Sequence, residues 1–155
     1  MGELPTVELV PQTCWYTNVR SNVSAEDWEG LRKFVFKRAG YRCEICGGRG
    51  DKWWVECHEQ WEYDDARHIQ KLVGFVALCP ACHEVKHIGL ATTRGRASIA
   101  TDHLAIVNDW SLAEAEAHVE ACFDVWEERS RHQWQLDISC LQNYGIAVPA
   151  VKDRQ

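Results

Sequence analysis

Four of the eight cysteines stand in two C-x-x-C pairs, Cys43/Cys46 in Y-R-C-E-I-C-G-G and Cys79/Cys82 in L-C-P-A-C-H. A C-x-x-C turn followed by glycine forms a tight knuckle whose backbone N–H groups point at the thiolates. Two such pairs supply the four sulfurs of a tetrahedral zinc site. The interval between them, Gly47 to Leu78, is 32 residues, longer than a simple zinc ribbon needs, and it leaves room for a strand, a loop and a second strand. Three histidines adjoin the cysteines: His58 in W-W-V-E-C-H-E-Q, then His83 and His87 in C-H-E-V-K-H. Residues four apart on a helix share a face, so His83 and His87 are spaced to hold one divalent ion. A histidine delivered by a strand opposite them is suited to strip a proton from water while the ion takes up charge. Two of them have plainer alternatives, His58 as a structural histidine capping a strand and His87 as an exposed residue near a helix C-terminus.

The elements that must position these groups are partly marked. Trp53, Trp54 and Val55 favour a strand delivering His58 near its end, and Pro80 suits the first turn of a helix because it has no N–H to lose. Upstream, Ser24 reads as an N-cap with Glu26 and Asp27 in the first turn. Trp28, Leu31, Phe34 and Val35 follow at helical spacing, and Gly40 stops the helix. Downstream, Ser111 and Glu114 form a capping-box pattern. It opens a helix with Leu112, Ala115, Val119, Cys122, Phe123 and Trp126 as its apolar stripe. V-E-L-V and C-W-Y-T-N-V read as short strands around Pro11, T-T-R-G-R-A-S as an exposed basic loop, and W-Q-L-D-I-S-C-L as a late strand. The eight tryptophans, spread along the chain, are expected mostly in packing positions. His68, His103, His118 and His132 are assigned ordinary surface or core positions.

From Tyr41 to Gly89, about a third of the chain, the order C-x-x-C, strand histidine, L-C-x-x-C-H and a further histidine resembles the zinc-knuckle branch of the HNH endonuclease family. The resemblance implies an α+β fold with a ββα-metal core, His58 as general base, and His83 with His87 as metal ligands. The colicin-type DNases of that superfamily also use a helical His-x-x-x-His pair. Two positions depart from the family pattern. Cys57 stands where an aspartate or histidine ligand usually precedes the base, and the middle asparagine would fall near Gly74. Glu56, Glu59 or Asp64 are candidates for the missing ligand. Cys57 is a further candidate whose thiolate would favour zinc over magnesium, or simply a buried small hydrophobe.

The length suits one domain, with 41–91 as the core and 1–40 and 92–155 as embellishments packed on it. The first residues, MGELPTVELV, lack the basic start and apolar run of a signal peptide, and no apolar window is long enough to span a bilayer. A cytoplasmic location follows as the expectation, with no membrane partner, and there paired cysteines bind metal rather than form disulfides. Net charge is −6, but Leu31 to Arg96 holds 12 Lys+Arg against 8 Asp+Glu. The metal-site segment is therefore mildly basic between acidic flanks, which are suited to dock a partner protein. The expected function is a metal-dependent endonuclease acting on DNA, with structural Zn2+ in the thiolate site and Mg2+, Mn2+ or Zn2+ at the histidines. The competing reading is a catalytically inactive zinc module that binds nucleic acid or protein.

Overall fold

Two strands fill the interval between the knuckles in the computed structural model, which describes residues 6–15 and 18–148. β1 (Glu56–Asp64) and β2 (Ile69–Leu78) are antiparallel, with Glu56 opposite Leu78 and His58 opposite Val76. A bulge between Gln60 and Trp61 shifts the register. β3 (Gln135–Asp137) pairs in parallel with β2 and completes a three-stranded sheet in the order β1-β2-β3. The chain is thus a mixed α+β protein.

Side chains alternate across a strand, so β2 serves two environments. Phe75 and Ala77 join Leu31 and Val35 of α2 (Ala25–Arg38), together with Ile138 and Leu141, in one apolar core. Val76 and Leu78 pack instead with Cys43, Cys79 and Cys82. α2 begins as its sequence dictates: the Ser24 side chain accepts from the Asp27 N–H, Glu26 and Asp27 sit in the first turn, and Lys37 and Arg38 in the last. Gly40 follows at φ +63°, a conformation glycine adopts without Cβ strain.

Immediately after β2 come α3 (Pro80–Lys86), α4 (Ile88–Thr93), α5 (Ala97–Asn108) and α6 (Leu112–Arg129). They enclose a second core built from Val85, Ile88, Ala91, Leu104 and Ala115, with Val7 inserted from the N-terminal segment. Pro80 occupies the first turn of α3, as its missing N–H allows. The Ser111–Glu114 capping box at the head of α6 is formed in both directions. Of the α6 stripe, Ala115, Val119, Cys122 and Phe123 face this core, whereas Leu112 is exposed.

Several expectations fail for identifiable reasons. The N-terminal strands are absent among the described residues: Val7–Val10 runs without partners in the sheet, Gln12–Cys14 is a short 3-10 turn, and Val19–Asn22 is a helical turn, α1, capped by Asn18. Residues 16 and 17 of the expected second strand lie outside the described residues. Trp53 and Trp54 precede β1 in an exposed loop, so His58 is the third residue of its strand rather than near its end. The T-T-R-G-R-A-S stretch is shared between the end of α4, a tight turn at Gly95 and the start of α5. The late strand is only three residues long, because Ser139–Tyr144 turns into a 3-10 helix. Trp134 is buried, but Trp15, Trp53 and Trp54 are exposed. Among the described residues no helix is long and apolar enough to cross a membrane.

Candidate metal centres

The first centre is the cysteine cluster. Cys43, Cys46, Cys79 and Cys82 come together, the Sγ atoms of Cys46 and Cys79 lying 3.6 Å apart. A tetrahedron with Zn–S bonds of about 2.3 Å has sulfur–sulfur edges of roughly 3.8 Å, and the Cys46–Cys79 separation is close to such an edge. Backbone donors meet the sulfurs as the knuckle pattern requires: Cys46 N–H to Cys43 Sγ, Gly48 N–H to Cys46 Sγ, and Cys82 N–H to Cys79 Sγ. Hydrogen bonds from Cys79 and Cys82 hold Cys43 far down towards its thiolate form. The same proximity pushes Cys79 up to about 11 and Cys82 higher still. Sulfurs this close ionise together only around a cation, which is the property of a metal site. His103 adds a contact that its sequence did not announce, with Nε2 3.2 Å from Cys82 Sγ.

The second centre is formed by His58, His83 and His87, each of which offers a ring nitrogen within 4.8 Å of the others. Ring centroids are 5.3 Å apart for His58–His83, 5.1 Å for His58–His87 and 4.6 Å for His83–His87. β1 supplies His58 and α3 supplies His83. His87 is the residue at which α3 ends and α4 begins, so the helix breaks exactly one turn after His83 while the two rings still meet. Burial, reinforced by the neighbouring His83 and His58, pushes His87 down to about 4, so it is a neutral imidazole at neutral pH, the form that binds metal.

Two carboxylates brace this trio. Glu8 Oε2 lies 2.6 Å from His58 Nε2, and Glu56 Oε2 lies 2.6 Å from His83 Nδ1. Burial opposes the charge on Glu8, but the His58 hydrogen bond and the Lys86 ammonium outweigh it and hold the carboxyl below its ordinary range. An ionised carboxylate only accepts hydrogen bonds, so His58 carries its proton on Nε2 and presents the Nδ1 lone pair. Burial lowers the His58 pKa further than Glu8 raises it, keeping that lone pair available at neutral pH. Lys86, almost fully buried, spans Glu8 Oε1 at 3.1 Å and Thr6 Oγ1 at 3.2 Å.

The remaining candidates go elsewhere. Glu56 braces His83 from the His58 face of β1, whereas Cys57 points to the opposite face and packs against the sheet–α2 core. Burial raises the Cys57 thiol to about 12, so it is neutral and apolar in character. Glu59 Oε1 accepts from the Val19 N–H at the start of α1, and Asp64 accepts from Ala66 and Arg67 in the β1–β2 turn. A side chain at Gly74 would place its Cβ 3.3 Å from Gln60 Oε1. Glu8 was not anticipated: it sits in an irregular segment, and its contact spans 50 residues of sequence, for which no local pattern exists.

No family model, no curated protein and no solved structure matches the chain.

Proposed function

We propose that the protein is a metal-dependent endonuclease of HNH type, hydrolysing phosphodiester bonds in DNA at the His58–His83–His87 centre. The observation that carries this reading is the convergence of a strand-borne histidine on a helix-borne pair beside a four-cysteine cluster. The β1–β2 hairpin followed at once by α3 supports it, since that order is what a ββα-metal core requires. The mildly basic segment around the centre favours a polyanionic substrate.

In this reading Cys43, Cys46, Cys79 and Cys82 hold structural zinc, while His83 Nε2 and a ring nitrogen of His87 hold the catalytic ion. A divalent ion there supplies Lewis-acid stabilisation of charge on the phosphate. His58 Nδ1 would accept the proton of the water whose oxygen attacks phosphorus, the bridging P–O bond would break and its alkoxide take a proton from solvent, while Glu8 fixes the Nε2–H tautomer and stabilises the imidazolium that results. Glu8 thereby performs the bracing that the family assigns to the asparagine absent at Gly74. Glu56 orients His83 in the same manner, as a carboxylate behind a metal-binding imidazole.

The test is cleavage of plasmid DNA by zinc-loaded protein in magnesium, manganese or added zinc. His58→Ala should leave the fold intact and lower cleavage by roughly 100-fold or more. Equal cleavage by both proteins would overturn the assignment. Absence of cleavage in every metal, with DNA binding retained, would favour the catalytically inactive zinc module.

A further inference from the structure

The loop between the first knuckle and β1 exposes an aromatic surface that the metal centres do not use. Trp53 and Trp54 are 53% and 51% exposed, and Tyr41 is 45% exposed. Two tryptophans in succession are rarely left in water without a purpose, since each exposes a large apolar surface that burial would stabilise. Here the loop holds them outward. Arg49 lies over the Trp54 ring at 4.2 Å and is fixed by its Nε bond to the Tyr41 carbonyl, while Tyr41 meets Trp54 edge-on. Lys52 lies over Trp53 at 4.9 Å. Gly50 makes this turn possible: a Cβ there would sit 2.1 Å from the Trp53 carbonyl oxygen and 2.7 Å from Pro80.

Trp53 also forms one wall of a groove of about 500 Å³, with Arg49, Lys52, Pro80, Arg96 and Ile99 around it. Its apolar walls are Trp53, Pro80 and the half-exposed Ile99, and its rim carries Arg49 and Lys52 as the cations outside the Arg96–Glu84 ion pair. Asp51 and Glu84 are the rim carboxylates, and Glu84 is already neutralised by a two-point contact from Arg96. Flat π-faces paired with guanidinium and ammonium groups suit a ligand that is planar and apolar in one part and anionic in the next. An unpaired nucleotide has that chemistry: the base stacks on the ring and the adjoining phosphate meets the cation. A duplex buries its base faces in the stack and offers phosphates and base edges, on which an indole face cannot stack.

We propose that Trp53 and Trp54, with Arg49 and Lys52, form a binding site for unpaired nucleotides, so that the protein engages single-stranded or locally opened nucleic acid in preference to duplex. The inference deepens the nuclease reading by naming its substrate class, and it rests on that reading only for what happens after binding. The loop runs through Val55 directly into β1, the strand that carries Glu56 and His58.

The test is fluorescence anisotropy of a labelled 15-nucleotide oligo(dT), and of a duplex of equal length. The protein is zinc-loaded His58→Ala without added magnesium or manganese, so binding is read without cleavage. The single strand should bind more tightly than the duplex. Trp53→Ala with Trp54→Ala should weaken single-strand binding by roughly 5- to 100-fold per ring, the range of base–aromatic stacking, while Trp→Phe at both positions restores most of it. Arg49→Ala with Lys52→Ala should flatten the salt dependence. Zinc content of each variant reports whether the knuckle survives. Duplex binding equal to or tighter than single-strand binding, or no loss in the double tryptophan variant, would overturn the proposal, as would failure to bind either oligonucleotide. Single-strand binding with no cleavage by the wild type would instead sink the nuclease reading and leave this site standing.

Discussion

Glu8 serves two partners at once, and its variants separate them. Glu8→Ala leaves Lys86 as a buried ammonium whose remaining hydrogen-bond partner among the described residues is Thr6, and breaking a buried pair this way costs about 3–5 kcal/mol. Lys86→Met removes the buried charge together with its need for a partner, so urea denaturation should show a markedly smaller loss. Glu8→Gln keeps the shape but offers one acceptor oxygen to two donors and no charge to either, so it should lose part of the same stability and lower cleavage per folded molecule by roughly 10- to 100-fold. Cys57 behaves differently. Because it faces the core opposite His58, Cys57→Ser should change neither metal preference nor cleavage. Cys57→Asp should lose about 2 kcal/mol or more through burial of a carboxylate near Glu59, without gaining affinity for magnesium. Metal titration of cleavage alongside thermal melts checks both statements. That the four cysteines and the His83–His87 pair come together was legible from spacing, whereas His58 was reached through an expected strand and the family resemblance. Glu8 was not, because a lone glutamate in a segment without periodicity acquires meaning only when the chain folds back on itself.

At the level of elements, the tie between β1 and α1 carries a pH signature. Burial raises the Glu59 carboxyl to about 7, although the N–H groups of Val19 and Arg20 and the Trp61 side chain pull the other way. The unfolded chain releases this proton near 4.5 and the folded chain near 7. Stability present below about pH 4.5 is therefore lost as pH rises through 7, on the order of 3 kcal/mol. Glu59→Gln keeps an acceptor for Val19 and removes the charge. Its stability relative to wild type should therefore rise between pH 5 and pH 8 in parallel denaturation series. Local chemistry made α2, α3 and α6 readable, since Ser24, Pro80 and the Ser111–Glu114 pair each act within one turn of their own position. It misled at Trp53–Trp54, where aromatic residues suggest a strand and the loop holds them in solvent. It was silent on α5, whose Arg96 N-cap makes no side-chain bond and whose end at Asp109 uses a left-handed residue other than glycine.

For the molecule as a whole, the thiolate centre is the junction through which the hairpin and the helical layer meet: Val76 and Leu78 of β2 pack with Cys43, Cys79 and Cys82. Serine at Cys43, Cys79 or Cys82 should lower stability by several kcal/mol or leave insoluble protein, since binding of structural zinc is inseparable from folding. A chain that stays folded and zinc-free in strong chelator would contradict this. The helical layer was the least legible part of the fold, because Val7 joins its core from more than seventy residues away. α3 has one further consequence. Cys79 caps it, Cys82 lies within it, and His83 and His87 follow, so seven turn-forming residues serve both centres. The two groups are therefore mechanically coupled through one helix. If zinc binds at the sulfurs, it should fix the bearing of the imidazoles, so that metal affinity at the histidines rises with the zinc content of the sample, as two linked equilibria sharing one short rod.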